Sequence, residues 1–173
     1  MATMSVEQFR QTNRVNLEGT FLTAREWLRG IQSARNPDTL QNMSLVVFGS
    51  EAGLMGVKSN ADYASSKAAL QGLVLSLAPD AASIHPRARV NLIAPGPVDT
   101  PQFRKEIAED PLEGWTEVAT VAQGRPTPMS AVAYSCLFLA SERYSSSVTG
   151  QFHRLDGGKS GKLFHLPARG SIR

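Results

Sequence analysis

Apolar residues along this chain follow two patterns, spaced positions of helical period and short unbroken blocks. Between residues 5 and 33, Val6, Phe9, Leu17, Phe21, Leu28 and Ile31 supply much of one apolar face, with imperfect periodicity, and predict a long helix. Ser5 with Gln8 three residues on resembles a capping box at its start, and Asn36-Pro37-Asp38 ends it. The block Ser44-Leu45-Val46-Val47-Phe48-Gly49 reads as a parallel strand buried on both faces. A stretch rich in alanine and small residues, 62–82, predicts a second long helix. Residues 89–94 form the next strand, ending at Pro95-Gly96. Short helices are expected at 102–109 and 113–122. Arg125-Pro126-Thr127-Pro128 is a stiff connection to another helix at 130–141, and 151–155 reads as the last strand. The order helix, strand, helix, strand, helices, strand is that of an α/β doubly wound sheet.

Composition narrows the class. With 173 residues, 42% hydrophobic and 19% charged, the chain is one globular domain, 1–162, followed by a basic, flexible tail, 163–173. A net charge of +3, spread along the chain, gives no electrostatic footprint for nucleic acid. No apolar run is long enough to cross a bilayer, and the first residues lack the basic and apolar segments of a signal peptide. The single cysteine, Cys136, excludes an internal disulfide framework. It lies in an apolar helical run and reads as a buried structural thiol in a reducing, cytoplasmic setting.

Candidate chemistry is concentrated around Asn60-Ala61-Asp62-Tyr63-Ala64-Ser65-Ser66-Lys67. On a helix Tyr63 and Lys67 share a face one turn apart, where the ammonium favours phenolate and lets the phenol exchange a proton nearer neutral pH. Ser50, thirteen residues before the tyrosine, closes a strand and can hydrogen-bond a substrate oxygen as charge develops on it.

These residues resemble the short-chain dehydrogenase/reductase family over nearly the whole chain, from about residue 5 to about residue 162. Asn16 in Val15-Asn16-Leu17-Glu18-Gly19 matches the segment carrying the family's catalytic asparagine, Ser50 its serine, and Tyr63 with Lys67 its YxxxK pair. Pro95-Gly96-Pro97-Val98-Asp99-Thr100 resembles the turn that meets the nicotinamide end of the cofactor, and Leu155-Asp156-Gly157-Gly158 the end of the last strand. The resemblance implies the C-terminal half of a Rossmann-like parallel sheet, about three strands flanked by helices. It implies Asn16, Ser50, Tyr63 and Lys67 as the catalytic set. Tyr63, Lys67, Pro95, Gly96, Val98 and Thr100 are implied as contacts for NAD or NADP, with no choice between the two. The family's opening strand, glycine-rich turn and Asn-Asn-Ala-Gly segment have no counterpart here, so a truncated domain is expected. Gly49, Gly53 and Gly56 follow a strand but read as a flexible substrate-side loop, not a pyrophosphate site.

Truncation leaves the apolar strand 44–49 without an outer neighbour, and such an edge recruits another chain. A second copy, or a separate chain completing the sheet, is therefore expected as partner; family members also dimerise through the two long helices. His85, His153 and His165 read as surface residues with no metal-like spacing, Asp62 as a helix cap, and Glu51 as a solvated loop carboxylate. Met55 and the segment 103–115 are expected to border a hydrophobic substrate pocket. The family's variable substrate loop lies there, and its apolar content points to a terpenoid, polyketide or steroid-like alcohol; the 95–103 segment resembles fungal members acting in secondary metabolism. Three functions remain open: NAD(P)-dependent interconversion of a secondary alcohol and a ketone, a cofactor-independent isomerase, dehydratase or cyclase, and a catalytically silent binding partner.

Overall fold

The computed structural model describes residues 1–166, and helix α1 (Val6–Asn13) starts as expected, with Ser5 accepting from the Gln8 amide at 3.0 Å. The helix does not run unbroken to residue 33. A π-helical turn at Arg14–Glu18 interrupts it, marked by the Gly19 amide bonding to the Arg14 carbonyl, before α2 (Gly19–Gln32) resumes. An extra residue in a helix rotates everything beyond it by about 100°, which explains the imperfect apolar period. The predicted face is divided, with Leu17, Leu28 and Ile31 against the core. Val6, Phe9 and Phe21 are exposed, and burial on α2 falls on Ala24 and Ile31.

Strand β1 (Ser44–Phe48), helix α3 (Ala52–Met55), helix α4 (Ala61–Ile84) and strand β2 (Arg89–Pro95) follow. Then come α5 (Pro101–Glu109), α6 (Pro111–Ala119), α7 (Met129–Ala140), the short α8 (Glu142–Ser145), which the apolar pattern does not reveal, and β3 (Phe152–Leu155). The sheet is parallel in the order β1-β2-β3, with Leu45 opposite Val90 and Leu92 opposite Phe152. The α/β class and the three-strand parallel sheet agree with the sequence expectation. Among the described residues β1 pairs with β2 alone, so its outer side is a sheet edge.

Strand β2 is buried from Arg89 to Ala94 and divides two helical layers. Val90, Leu92 and Ala94 join Val47 in a core with Leu70, Val74, Leu77 and Ala81 of α4 and Ala24 and Ile31 of α2. On the opposite face the Arg89 guanidinium donates to the carbonyls of Leu139 (2.8 Å) and Ser145 (2.9 Å). A buried cation there satisfies carbonyls that the C-terminal ends of α7 and α8 leave open. Asn91 donates to the Val148 carbonyl and accepts from the Gln151 amide, fixing the chain that leads into β3.

Two expectations need correction here. His85 is buried, its Nδ1 accepting from the Arg87 amide at 3.2 Å, because it closes the tight turn between α4 and β2. Cys136 is half-buried, not sealed in the core, and burial pushes its thiol pKa up. Of the predicted tail, residues 163–166 are described: the Phe164 and His165 amides both donate to the Ala119 carbonyl. Residues 167–173 lie outside the described residues.

Candidate active site

Strand β1 ends at Phe48, and the next residues turn across the ends of the sheet. Gly49 donates to the Ile93 carbonyl (2.8 Å) and Glu51 to the Pro95 carbonyl (2.9 Å), so Ser50 is held from both sides by β2. The segment expected to be a flexible loop is instead the single-turn helix α3, packed on α4. Gly53 permits this. A Cβ there would lie 2.7 Å from the Lys67 carbonyl carbon and the Ala68 nitrogen. The Ser50 turn therefore rests on the helix that carries Tyr63 and Lys67.

Tyr63 stands in the first turn of α4 and is 37% exposed. Lys67, one turn later, places its Nζ 5.7 Å from the Tyr63 ring centre and donates to the Phe48 carbonyl at 2.9 Å. Partial burial lowers the pKa of this ammonium. Asn16 lies within the π-helical turn, a distortion often placed at functional positions. Its side-chain amide donates to Ser66 Oγ (3.1 Å), and Ser66 Oγ donates to the Tyr63 carbonyl (2.7 Å). Asn16 thus braces the helix directly behind the tyrosine.

The four side chains are divided between two spaces. Ser50 and Tyr63 line a cavity of about 340 Å³, together with Gly96 and Pro97 of the β2–α5 turn and Phe103 and Ile107 of α5. Asn16 and Lys67 line a groove, also of about 340 Å³, running along β1 from Leu45 to Phe48. Phe103 thus takes the place expected of it, whereas Met55 is not among the cavity's lining residues.

In the turn after β2, Gly96 donates to the Leu155 carbonyl, and the Asp99 and Thr127 amides tie 97–99 to Thr127. Gly96 faces Asp156 so closely that a Cβ would come within 3.0 Å of its Cα. Thr100 Oγ1 accepts from the Phe103 amide (3.0 Å) and caps α5. Gly96 and Pro97 of this turn line the cavity with Tyr63, while Lys67 lines the separate groove. The residues 49–56 do not fit a pyrophosphate, because Gly53 is packed against α4 and α3 has only four residues.

Two acidic residues depart from the sequence expectation. Asp62 is no cap. Its Oδ2 accepts from Thr12 (2.7 Å) and Gln8 (3.3 Å), tying α1 to α4, and the Thr12 hydroxyl is the first cause of its lowered pKa. Glu51 is not solvated. It is 8% exposed, its Oε1 accepts from Lys159 Nζ at 2.8 Å, and it lines the same cavity as Ser50. Burial raises its pKa, against the opposing pull of Lys159. The charge of Glu51 was visible in the sequence, but its partner lies 108 residues away. No cluster of potential metal ligands occurs among the described residues.

Residues 1–160 match the family profile described as Enoyl-(Acyl carrier protein) reductase. The chain is 34% identical over 152 residues to Dehydrogenase/reductase SDR family member 6 of Aquarana catesbeiana, covering 86% of this chain and 59% of that protein. It is 34% identical over 155 residues to the 3-oxoacyl-(acyl-carrier-protein) reductase FabG of Thermotoga maritima, covering 90% of this chain and 58% of that one. The crystal structure of 3-hydroxyacyl-CoA dehydrogenase type-2 from Mycobacterium avium superposes with a TM-score of 0.77 at 27% identity, covering 93% of this chain and 60% of that one. This chain therefore spans about three fifths of the length of the relatives it matches. With the profile covering almost all of the described residues and the fold shared with solved members, the chain belongs to the short-chain dehydrogenase/reductase family.

Proposed function

We propose that this chain interconverts a secondary alcohol and a ketone with NAD or NADP, on a hydrophobic small molecule. The observation that carries the reading is that Ser50 and Tyr63 open into one cavity, with Phe103 and Ile107 on its wall, while Lys67 stands one helical turn from the tyrosine. Ser50 Oγ accepts from the Ala52 amide at 3.1 Å, which leaves its own proton free to donate to a carbonyl oxygen. Tyr63 gives its phenolic proton to that oxygen in reduction and takes it back in oxidation. The Lys67 ammonium stabilises the phenolate formed between, and Asn16 holds the helix carrying both. Tyr63 and Lys67 would hold the ribose, and Pro95, Gly96, Val98 and Thr100 the nicotinamide end. A bound nicotinamide dinucleotide supplies the hydride in reduction and receives it in oxidation. Two of the relatives support the reaction class, since the names 3-oxoacyl and 3-hydroxyacyl denote a ketone and its secondary alcohol.

Calorimetric titration of the purified chain with NADH and NADPH tests this. Micromolar binding of either is expected. No binding at millimolar cofactor, with substrate turnover that is nonetheless lost in Tyr63→Phe, would replace it with cofactor-free acid–base catalysis. A homo-oligomer in the cytoplasm is the matching assembly and location. The lone cysteine is a free thiol, and Phe9, Leu17, Phe21 and Leu73 line an open groove of about 690 Å³ on the outer face of α1, α2 and α4. No helix among the described residues is long and apolar enough to cross a membrane. Sedimentation is expected to give at least a dimer, and a clean monomer at micromolar concentration would overturn that part.

A further inference from the structure

Among the described residues, the cavity that contains Ser50 and Tyr63 is lined by three carboxylates, Glu51, Glu106 and Glu117, and by no lysine or arginine. They come from three segments: the turn beside Ser50, helix α5 and helix α6. One ammonium serves two of them, Lys159 Nζ donating to Glu51 Oε1 at 2.8 Å and to Glu117 Oε2 at 3.3 Å. Burial works against that ammonium, and the two carboxylates overcome it and raise its pKa. Glu106 accepts from the neutral Gln102 amide at 2.7 Å. The neighbouring charges cancel in pairs, Arg154 with Asp156 and Arg104 with Asp99. With Lys67 lining the separate groove, three carboxylates against the Lys159 ammonium leave the cavity wall negative among the described residues.

Glu51 is more than an average contributor to that field. It is more than nine-tenths buried, and its Oε2 has no hydrogen-bond partner among the described residues. A buried carboxylate oxygen without a donor is costly, and a ligand that supplies a donor recovers the loss. We infer that Glu51 is a specificity-determining residue. Beside the carbonyl, the cavity takes a group that donates hydrogen bonds, with a positive charge favoured, and it turns away carboxylate and phosphate groups. The substrate class is then an amino- or hydroxy-substituted hydrophobic ketone or its alcohol. This rests on the reading that Ser50 and Tyr63 hold the carbonyl oxygen.

Three probes with one ring and one ketone decide it: acetophenones carrying a para aminomethyl, hydroxymethyl or carboxylate group. Their binding to the full chain is measured by calorimetry, and hydride transfer from NADPH to each is measured separately. The aminomethyl ketone is expected to bind about tenfold tighter than the carboxylate, the scale of one unfavourable charge contact, with the hydroxymethyl ketone between them. Glu51→Gln should bring the two ends within about twofold. Glu117→Gln, at a more exposed position, should narrow the gap in the same direction and serves if the first variant fails to fold. Equal or tighter binding of the carboxylate overturns the inference. So does failure of the aminomethyl ketone to bind at millimolar concentration, or an unchanged order in folded Glu51→Gln. Selective binding without hydride transfer would sink the redox reading and leave the charge selectivity standing. Hydride transfer to a tightly bound carboxylate would do the reverse.

Discussion

The two spaces that meet at the Tyr63–Lys67 pair are alike in volume, about 340 Å³ each, and unlike in construction. The cavity on the Ser50 side is closed by parts of the chain far apart in sequence: the turn after β1, the β2–α5 turn, and helices α5 and α6. Its walls mix apolar side chains with buried charge. The groove on the Lys67 side is lined by the π-helical turn, the start of α2 and the outer edge of β1. Phe48 is exposed there, and its carbonyl is held by Lys67. One side is thus shaped by side chains and can discriminate among substrates. The other presents strand backbone, an amide and an ammonium, groups suited to a ribose or to a further strand. Tyr63 lines the first, and Lys67, one helical turn on, lines the second.

The comparison is tested most severely at its boundary. Tyr63→Phe removes the only group proposed to carry a proton, so turnover should fall by about 10²- to 10⁴-fold. The fold should be unchanged, because the residue is partly exposed, and circular dichroism checks that. A drop confined to binding would mean that the phenol positions ligand without exchanging a proton.

One change on each side should separate the spaces. Ser50→Ala should cost about 10²- to 10³-fold in turnover, the loss of one donor to a developing oxyanion, while cofactor affinity stays as it was. Lys67→Met should weaken dinucleotide binding measured by titration and leave the affinity of a substrate-like ketone unaltered. If Lys67→Met changes the affinity of the ketone, or Ser50→Ala that of the cofactor, the division into two functional halves is wrong.

Gly53→Ala attacks the contact that holds the halves together. Its Cβ would lie 2.7 Å from the backbone of Lys67 and Ala68, so α3 must move away from α4. The expected cost is about 1–3 kcal/mol, read as a lower thermal midpoint, with turnover reduced because the Ser50 turn shifts with α3. A variant as stable as the parent would show that this approach is not tight in solution.

The smallest effect belongs to a control outside both spaces. Glu142 accepts from the Arg87 guanidinium and from the Asn42 amide, and these two hold its pKa down from 4.5 to about 2. The folded state therefore binds this proton less readily than the unfolded chain does. The stabilisation is complete above pH 4.5 and fades as pH falls towards 2. Denaturant melts at stepped acidic pH should show that loss diminished in Glu142→Gln, with activity near neutrality unaffected. An equal acid sensitivity in the variant would assign the loss to other carboxylates.

Much of the framework was legible in the order of residues. Unbroken apolar runs mark β1 and β2, but only β2 is buried on both faces as expected; β1, at the sheet edge, is buried at Val47 alone and exposes Phe48. Tyr63 and Lys67 announce themselves because a four-residue spacing is one helical turn, and Ser50 and Pro95-Gly96 because each stands where such a strand stops. These are local relations, and local geometry depends on neighbours in sequence. The π-helical turn at Asn16 left only an indirect trace, the broken apolar period of α1 and α2. What lay beyond reach was the environment of charge. Glu51 reads as a solvated loop residue until Lys159 is brought to it, and Asp62 as a cap until Thr12 arrives from α1. The sequence by itself determined which strands and helices form and which side chains are able to exchange a proton. Only the tertiary structure decided which carboxylates are buried, which cation they share and which cavity they face, because burial and Coulomb interaction depend on distance in space rather than along the chain.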